Sequence, residues 1–311
     1  MAHTASDTVE RIGVVGAGLM GAGIAEVCAR AGLDVLVAEA GRDAARAART
    51  RIETSLRRAA GRGKLTADEA DAALARLHLT TDLGDFADRD LVVEAVAERE
   101  DVKTSVFATL DKVVEREDAV LASNTSSIPV MRLGTATTRA DRVIGIHFFN
   151  PVPVLPLVEL VPSLLTGPAT QDRARAFAEN RLGKRVVLAA DRAGFVVNAL
   201  LVPYLLAAVR MLESGTASAT DIDDGMVQGC AHPLGPLALA DLIGLDTVTA
   251  IAESLYAEHK EPLYAPPPLL LRMTEAGLLG RKSGRGFYRY GPSGTGVNRG
   301  GSSSGVSAVG P

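Results

Sequence analysis

Short, almost wholly apolar runs recur through the first two thirds of the chain, at residues 12–16, 34–38, 77–80, 91–96, 120–123, 143–146, 157–161 and 185–189. Runs of this length, bounded by turn residues, predict strands covered on both faces. Helical-period segments lie between them at 22–31, 41–60, 66–77, 101–114 and 173–182. Strands alternating with helices predict an α/β domain with a doubly wound, mainly parallel sheet. The pair 41–60 and 66–77 is broken only at Gly61-Arg62-Gly63-Lys64. It predicts a helical hairpin inserted into the sheet domain, with Thr66 as N-cap and Glu69 three residues on. From Gly194 onward only helices are expected, at 195–212, 221–228, 237–243, 247–257 and 269–276. The helix 195–212 is apolar nearly all round, which predicts burial between partners. The expected organisation is a sheet domain over 1–191, an all-helical C-terminal domain over 192–290, and a disordered Gly/Ser-rich tail over 291–311.

The first strand runs into Gly16-Ala17-Gly18-Leu19-Met20-Gly21 and then an Ala-rich helix. In this βαβ setting Gly16 permits a tight turn, Gly18 lets backbone approach a pyrophosphate, and Gly21 lets helix pack on strand. The helix start then offers free N–H groups to the phosphates. This predicts a Rossmann-type nucleotide site. Glu39 ends the second strand, 18 residues after Gly21. A carboxylate there accepts from ribose hydroxyls and repels a 2′-phosphate, which favours NAD over NADP, with nearby Arg42 pulling weakly the other way.

Ligands of doubly wound sheets sit beyond the carboxyl ends of the strands. Several polar residues are predicted there. Glu98 and Lys103 follow the fourth strand; either serves a helix start or the cofactor. Asn124-Thr125-Ser126-Ser127 follows the fifth and is either a turn or a set of hydroxyls for cofactor and substrate. His147 ends the sixth, in an apolar run with Phe148 and Phe149. Glu159 follows twelve positions later, across the Pro-rich turn 151–156. A lone histidine among aromatics is usually a core residue. At a strand's carboxyl end, opposite a buried carboxylate, it is instead a candidate general base.

Other polar positions stay open between two roles. Arg57, Arg58, Arg62 and Lys64 make the hairpin tip basic, as a solvated face or as a clamp for substrate phosphates. Asn198, in the first turns of the apolar helix, either packs there or donates to a substrate oxygen. Lys282, in a basic glycine-punctuated loop, is exposed or reaches a cofactor. Asp223, Asp224 and Asp241 read as helix-start charges, and no metal ligand set is predicted.

Composition narrows the class. There are 33 Lys and Arg against 37 Asp and Glu, a net charge of −4. That balance gives no reason to expect nucleic acid or an anionic membrane as partner. Cys28 and Cys230 are far apart and form no C-x-x-C motif, which reads as two reduced thiols. The polar N-terminus and the shortness of every apolar helix predict a cytoplasmic protein without membrane spans. The surplus apolar surface of the long helix predicts a homodimer.

Taken together, the motifs resemble those of the L-3-hydroxyacyl-CoA dehydrogenase family, in its stand-alone bacterial 3-hydroxybutyryl-CoA type. The likeness runs from about Arg11 to Tyr290. It is carried by Gly16-Ala-Gly-Leu-Met-Gly-Ala-Gly-Ile-Ala, Ala122-Ser-Asn-Thr-Ser-Ser-Ile, His147-Phe-Phe-Asn-Pro-Val-Pro-Val, Leu157-Val-Glu-Leu, Gly194-Phe-Val-Val-Asn and Lys282-Ser-Gly-Arg-Gly-Phe-Tyr. The resemblance implies reversible NAD-dependent oxidation of an (S)-3-hydroxyacyl-CoA, with His147 as base and Glu159 as its partner. It implies that Ser126 and Asn198 hold the substrate's 3-oxygen region. It also implies cofactor contacts from Glu39, Glu98, Lys103, Ser126, Asn150 and Lys282. On the hairpin, Ser55 matches the family's CoA contact, and Arg62 stands where the family often has Lys, with Lys64 beside it. The acidic position after the second strand is commonly Asp; here it is Glu39. Three alternatives remain: a 3-hydroxyadipyl-CoA enzyme, a related dehydrogenase of a free hydroxy acid, and a non-catalytic relative of the lens-crystallin kind.

Overall fold

A computed structural model of the chain describes residues 9–291. The expected tail lies outside the described residues except for Gly291. The chain divides into two compact units, the first ending at Val196 and the second beginning at Val197. That boundary falls five residues beyond the expected one. The reason is local: Phe195 joins the core of the first unit, and the Val196 N–H bonds a carboxylate of its sheet.

In chain order the first unit contains β1 Arg11–Val15, α1 Leu19–Arg30, β2 Asp34–Ala38, α2 Arg42–Gly61, α3 Ala67–Ala75, β3 Leu77–Thr80 and β4 Leu91–Glu94. It continues with α4 Glu100–Val113, β5 Val120–Ser123, α5 Val130–Gly134, β6 Val143–Phe148, β7 Leu157–Val161, α6 Pro168–Ala176 and β8 Arg185–Leu188. The eight strands form one sheet in the order β3-β2-β1-β4-β5-β6-β7-β8. The pairs from β3 to β6 are parallel, β7 runs antiparallel to β6, and β8 is parallel to β7.

Alternation along the strands builds two cores. Ile12, Val14, Val35, Val93, Ala122 and Ile146 face α1, α2 and α3. Val92, Leu121, Val143 and Val161 face the other side with Phe107, Leu110 and Leu133 of α4 and α5. Burial on both faces explains why the strands lack polar alternation. The predicted hairpin is present. Thr66 Oγ1 accepts from the Glu69 N–H while the Glu69 carboxylate takes the Thr66 N–H, a complete capping box.

Two elements differ from expectation. The helix expected from residue 173 starts at Pro168 and closes in a π-turn, Phe177–Arg181. Proline lacks the N–H that a first helical residue leaves unused, so Pro168 opens the helix rather than blocking it. The short α5 escaped notice because five residues carry no visible period.

The second unit is helical: α7 Val197–Glu213, α8 Ala219–Cys230, α9 Pro236–Ile243, α10 Leu245–His259 and α11 Pro268–Glu275. Asp223 and Asp241 are not helix-start charges. Asp223 is buried inside α8 and accepts from the Leu237 and Ala238 N–H groups, capping α9 from outside. Asp241 is buried in α9 and accepts from the Phe287 and Tyr288 N–H groups and the Tyr290 hydroxyl. Each needs a partner distant in sequence, so local spacing could not reveal the role.

Candidate active site

The strand order sets the site. β1, β4, β5 and β6 are neighbours and parallel, so the segments that follow them emerge along one edge. The sheet switches direction of winding between β1 and β4, where this architecture binds nucleotides. A cavity of about 600 Å³ lies there, lined by Gly16, Gly18, Glu39, Ala95, Val96 and Ala97 among others.

The glycines behave as the motif requires. Gly16 has φ +84°, and a side chain there would press on the Ala95 carbonyl. A Cβ on Gly21 would lie 1.8 Å from the Gly16 carbonyl oxygen. A Cβ on Gly18 would meet nothing within 4 Å; the space over it is open, and α1 starts there with no side-chain cap. Exposed Leu19 and half-buried Met20 form the first turn. An uncapped helix start under an open glycine cradle fits a dinucleotide pyrophosphate. Glu39 lines the same cavity, and its Oε1 accepts from the Ala17 N–H at 2.6 Å. Its extra methylene relative to aspartate lets it brace the glycine loop as well.

Beyond β4 and β5 lies a buried charge network. Glu94 is fully buried; it accepts from Lys103 Nζ and Ser123 Oγ, each at 2.7 Å. Lys103, also buried, stands 3.2 Å from Glu98. Glu98 Oε1 accepts from Thr125 Oγ1 at 2.5 Å and from the Ser126 N–H at 2.9 Å. Burial opposes the charge on Glu98, but the Lys103 ammonium and these donors outweigh it and hold the carboxyl below its usual range. Lys103 thus lies beneath Glu98, and Glu98 holds the loop that carries Ser126. Glu94 was missed in the sequence, although an acidic residue closing a Leu-Val-Val run is the signal that could have found it.

His147 and Glu159 are direct cross-strand partners on β6 and β7. Opposed residues share a face, so the register alone brings the side chains together. His147 Nδ1 is 2.8 Å from Glu159 Oε2. Glu159 is fully buried, His147 is 6% exposed, and Glu159 Oε1 accepts from the Val196 N–H at 3.0 Å. With Nδ1–H donated to the carboxylate, Nε2 is the free basic nitrogen. Phe149 and Phe195 meet the ring edge-on, at 4.6 and 5.4 Å between centroids. Phe195 does so with φ +48°, a strained value for a bulky residue next to a functional group. Neither Phe195 nor the Val196 N–H was legible beforehand, because both depend on how the chain leaves the sheet.

Asn150 follows a strand end and is exposed. With Ser55, Arg51 and Arg58 it lines a second cavity of about 660 Å³ between α1, α2 and the 150–153 loop. Arg62 and Lys64 are exposed at the hairpin turn and line neither cavity. Arg57 is tied to Asp71 at 2.7 Å. In the second unit, Asn198 is half-buried in the first turn of α7, and Lys282 donates to Asp246 at 2.6 Å.

Two family models cover the described chain end to end: the NAD binding domain of 3-hydroxyacyl-CoA dehydrogenase over residues 11–192, and the C-terminal domain of the same family over 194–290. The chain belongs to the 3-hydroxyacyl-CoA dehydrogenase family. It is 60% identical to the 3-hydroxybutyryl-CoA dehydrogenase of Mycobacterium tuberculosis over 285 residues, covering 92% of this chain and all of that one. The crystal structure of M. tuberculosis FadB2 superposes with a TM-score of 0.91 at 59% identity, over 91% of this chain and 100% of the other. That of (S)-3-hydroxybutyryl-CoA dehydrogenase PaaH1 from Ralstonia eutropha gives 0.87 at 44% identity, with the same coverage. As a family member, the chain is an NAD-binding oxidoreductase with a Rossmann-type sheet and a helical C-terminal domain.

Proposed function

We propose that this chain interconverts (S)-3-hydroxybutyryl-CoA and acetoacetyl-CoA with NAD as hydride carrier. The observation that carries the reading is the buried His147–Glu159 pair at the nucleotide edge of the sheet. In oxidation, His147 Nε2 takes the proton of the 3-hydroxyl as the C–H bond at C3 breaks. Bound NAD⁺ supplies the hydride acceptor. Glu159 keeps Nδ1 protonated and faces the imidazolium with a full negative charge, which stabilises it when the proton arrives. In reduction the imidazolium returns that proton to the alkoxide oxygen. Ser126, Asn198 and Asn150 hold the reacting end of the substrate, and Glu39, Glu98, Lys103 and Lys282 support the cofactor. Ser55, with Arg62 and Lys64 at the hairpin tip, receives the CoA part.

The first unit carries the cofactor, and the second forms a homodimer. Leu200 is 73% exposed on α7, and Leu242 and Leu263 are about half exposed on the same unit. Light scattering that returns only the monomer mass would overturn the dimer. We place the enzyme in the cytoplasm, in keeping with its two free thiols, Cys28 and Cys230. No helix among the described residues is long and apolar enough to cross a membrane.

The test is a set of initial rates with acetoacetyl-CoA, longer 3-oxoacyl-CoAs, 3-oxoadipyl-CoA and free acetoacetate, each with NADH and NADPH. Highest kcat/KM with acetoacetyl-CoA and NADH is expected; preference for the free acid would refute the reading. His147→Gln should lose about 10²–10⁴ in kcat, the usual worth of a general base, with NADH binding unchanged.

A further inference from the structure

The chain leaves the sheet through residues 189–196. That exit carries two groups that meet the His147–Glu159 pair: the Phe195 ring on His147 and the Val196 N–H on Glu159. Local preference does not give the exit its shape. Ala189 still pairs with β7, its N–H donating to the Leu160 carbonyl. The backbone then turns, with the Arg192 N–H on the Ala190 carbonyl and the Phe195 N–H on the Arg192 carbonyl. Gly194 and Phe195 follow with φ of +75° and +48°. Glycine takes such a value freely, and a bulky residue does not. A strained residue persists only where its surroundings over-determine it, so both ends of the turn must be tied.

Downstream, the tie is the Val196 bond to Glu159. Upstream, it is Asp191. Its Oδ1 accepts from the Val130 N–H and its Oδ2 from the Met131 N–H, each at 2.8 Å. These are the first two residues of α5, a helix with no side-chain cap from its own N-terminal residue. Both bonds are charge-assisted and use N–H groups that a helix start leaves unpaired. The partners are 61 and 60 residues from Asp191 in sequence, so the clip is tertiary. α5 is well anchored. Val130 and Leu133 are fully buried, and Glu98 fixes the 125–127 turn just ahead of it. Phe195 shares a core with Ile128 and Val130, so apolar packing closes the same junction that Asp191 bonds.

We propose that Asp191 is a positioning residue of the dehydrogenation. By clipping the exit turn to α5, it holds Phe195 in its strained conformation. That keeps the Phe195 ring on His147 and the Val196 N–H on Glu159 Oε1, which leaves Oε2 facing His147 Nδ1. Without the clip the turn relaxes toward unstrained φ, and the carboxylate loses the donor that fixes its plane. The inference rests on the reading of His147 as the acid–base group and names the residue that keeps its surroundings in register.

The experiment is a double-variant cycle in the full-length enzyme. It reads kcat for oxidation of (S)-3-hydroxybutyryl-CoA by NAD⁺, with NADH affinity titrated by fluorescence and folding followed by circular dichroism. Asp191→Ala should lower kcat about 10- to 100-fold, the scale of a small misplacement of reacting groups. Asp191→Asn keeps the shape and one oxygen for one of the two N–H groups, so its loss should be smaller, about fivefold. NADH affinity should stay within about twofold in both, a loss in kcat without a loss in cofactor binding. In the His147→Gln background, either Asp191 variant should leave kcat within about twofold, because no imidazole remains to be positioned. A residue that only stabilises the fold would cost the same factor in both backgrounds. If Asp191→Ala does not fold, Asp191→Asn carried through the same cycle decides. Unchanged kcat in the folded variants, equal fractional losses in the two backgrounds, or a loss confined to NADH affinity would overturn the proposal. A His147→Gln single variant with kcat near wild type would instead remove the acid–base reading, and the proposal with it.

Discussion

Replacing Glu159 by glutamine separates the charge of this residue from its shape. The side chain is fully buried and makes two contacts that matter, the 2.8 Å bond to His147 Nδ1 and the 3.0 Å bond from the Val196 N–H. An amide of the same size can keep the second by presenting its oxygen to Val196. It must then turn its NH₂ toward His147 Nδ1, which forces the proton onto Nε2. The ring is then in the wrong tautomer to accept a proton from substrate. The imidazolium formed in the reaction also loses a charge-assisted hydrogen bond, a contribution of about 1.5–3 kcal/mol. At about 1.4 kcal/mol per decade, that bond alone predicts a loss of about 10- to 150-fold in kcat. The tautomer penalty adds to it; in the serine-protease triad the analogous Asp-to-Asn change costs about 10⁴, so about 10²–10⁴ is expected here. The assay is steady-state oxidation of (S)-3-hydroxybutyryl-CoA followed through the appearance of NADH absorbance, with NADH affinity titrated separately by fluorescence. Binding of NADH should be unaltered, because Glu159 lines no part of the nucleotide cavity. A variant with kcat within about threefold of wild type would refute the charge argument, since even the weakest charge-assisted bond is worth more.

Three further outcomes follow from the same geometry. Gly21→Ala puts a methyl 1.8 Å from the Gly16 carbonyl oxygen, and backbone cannot yield as a side chain can; a loss of about 1–3 kcal/mol in stability is expected, with weakened NADH binding, and an unchanged melting temperature and affinity would contradict the packing role. Glu39→Ala removes the brace on the Ala17 N–H and, with it, the carboxylate proposed to meet the ribose; NADH affinity should fall about tenfold while the preference over NADPH narrows, and a variant as selective as wild type would place the discrimination elsewhere. Glu26 has its folded-state carboxyl raised by burial, so the native state holds its proton to higher pH than the unfolded chain. Its contribution to stability is therefore greatest below the unfolded carboxylate range and is lost as pH rises through the raised value. Melting of Glu26→Gln relative to wild type should improve as pH rises above the ordinary carboxylate range, and a constant difference would show that Glu26 does not titrate on unfolding.

Much of this molecule is local in origin and was readable as such. The strands of the sheet announce themselves as apolar runs because burial on both faces leaves no polar alternation to confuse them. The glycine turn is legible because each of its positions has a steric reason, and the capping box at Thr66 because its partners are three residues apart. His147 and Glu159 could be nominated because each interrupts such a run near a strand's carboxyl end.

What remained needed the fold. The bond between His147 and Glu159 exists because β7 turns back antiparallel in a register that sets residue 147 against residue 159; a slip of one residue would send the pair to opposite faces. Asp223, Asp241 and Lys103 look in the sequence like ordinary charges at or near helix starts, and Glu94 like the end of an apolar strand, yet all are buried and satisfied by groups elsewhere in the chain. Glu26 looks like one more residue of an Ala-rich helix until α2 packs across it and leaves an oxygen unmatched. The sequence by itself determined which segments become strand, helix and phosphate turn, because propensity, period and steric need act over a few residues. Only the tertiary structure decided which charges meet, because hydrogen bonds and desolvation depend on which atoms are neighbours, and that is known only once the chain has folded.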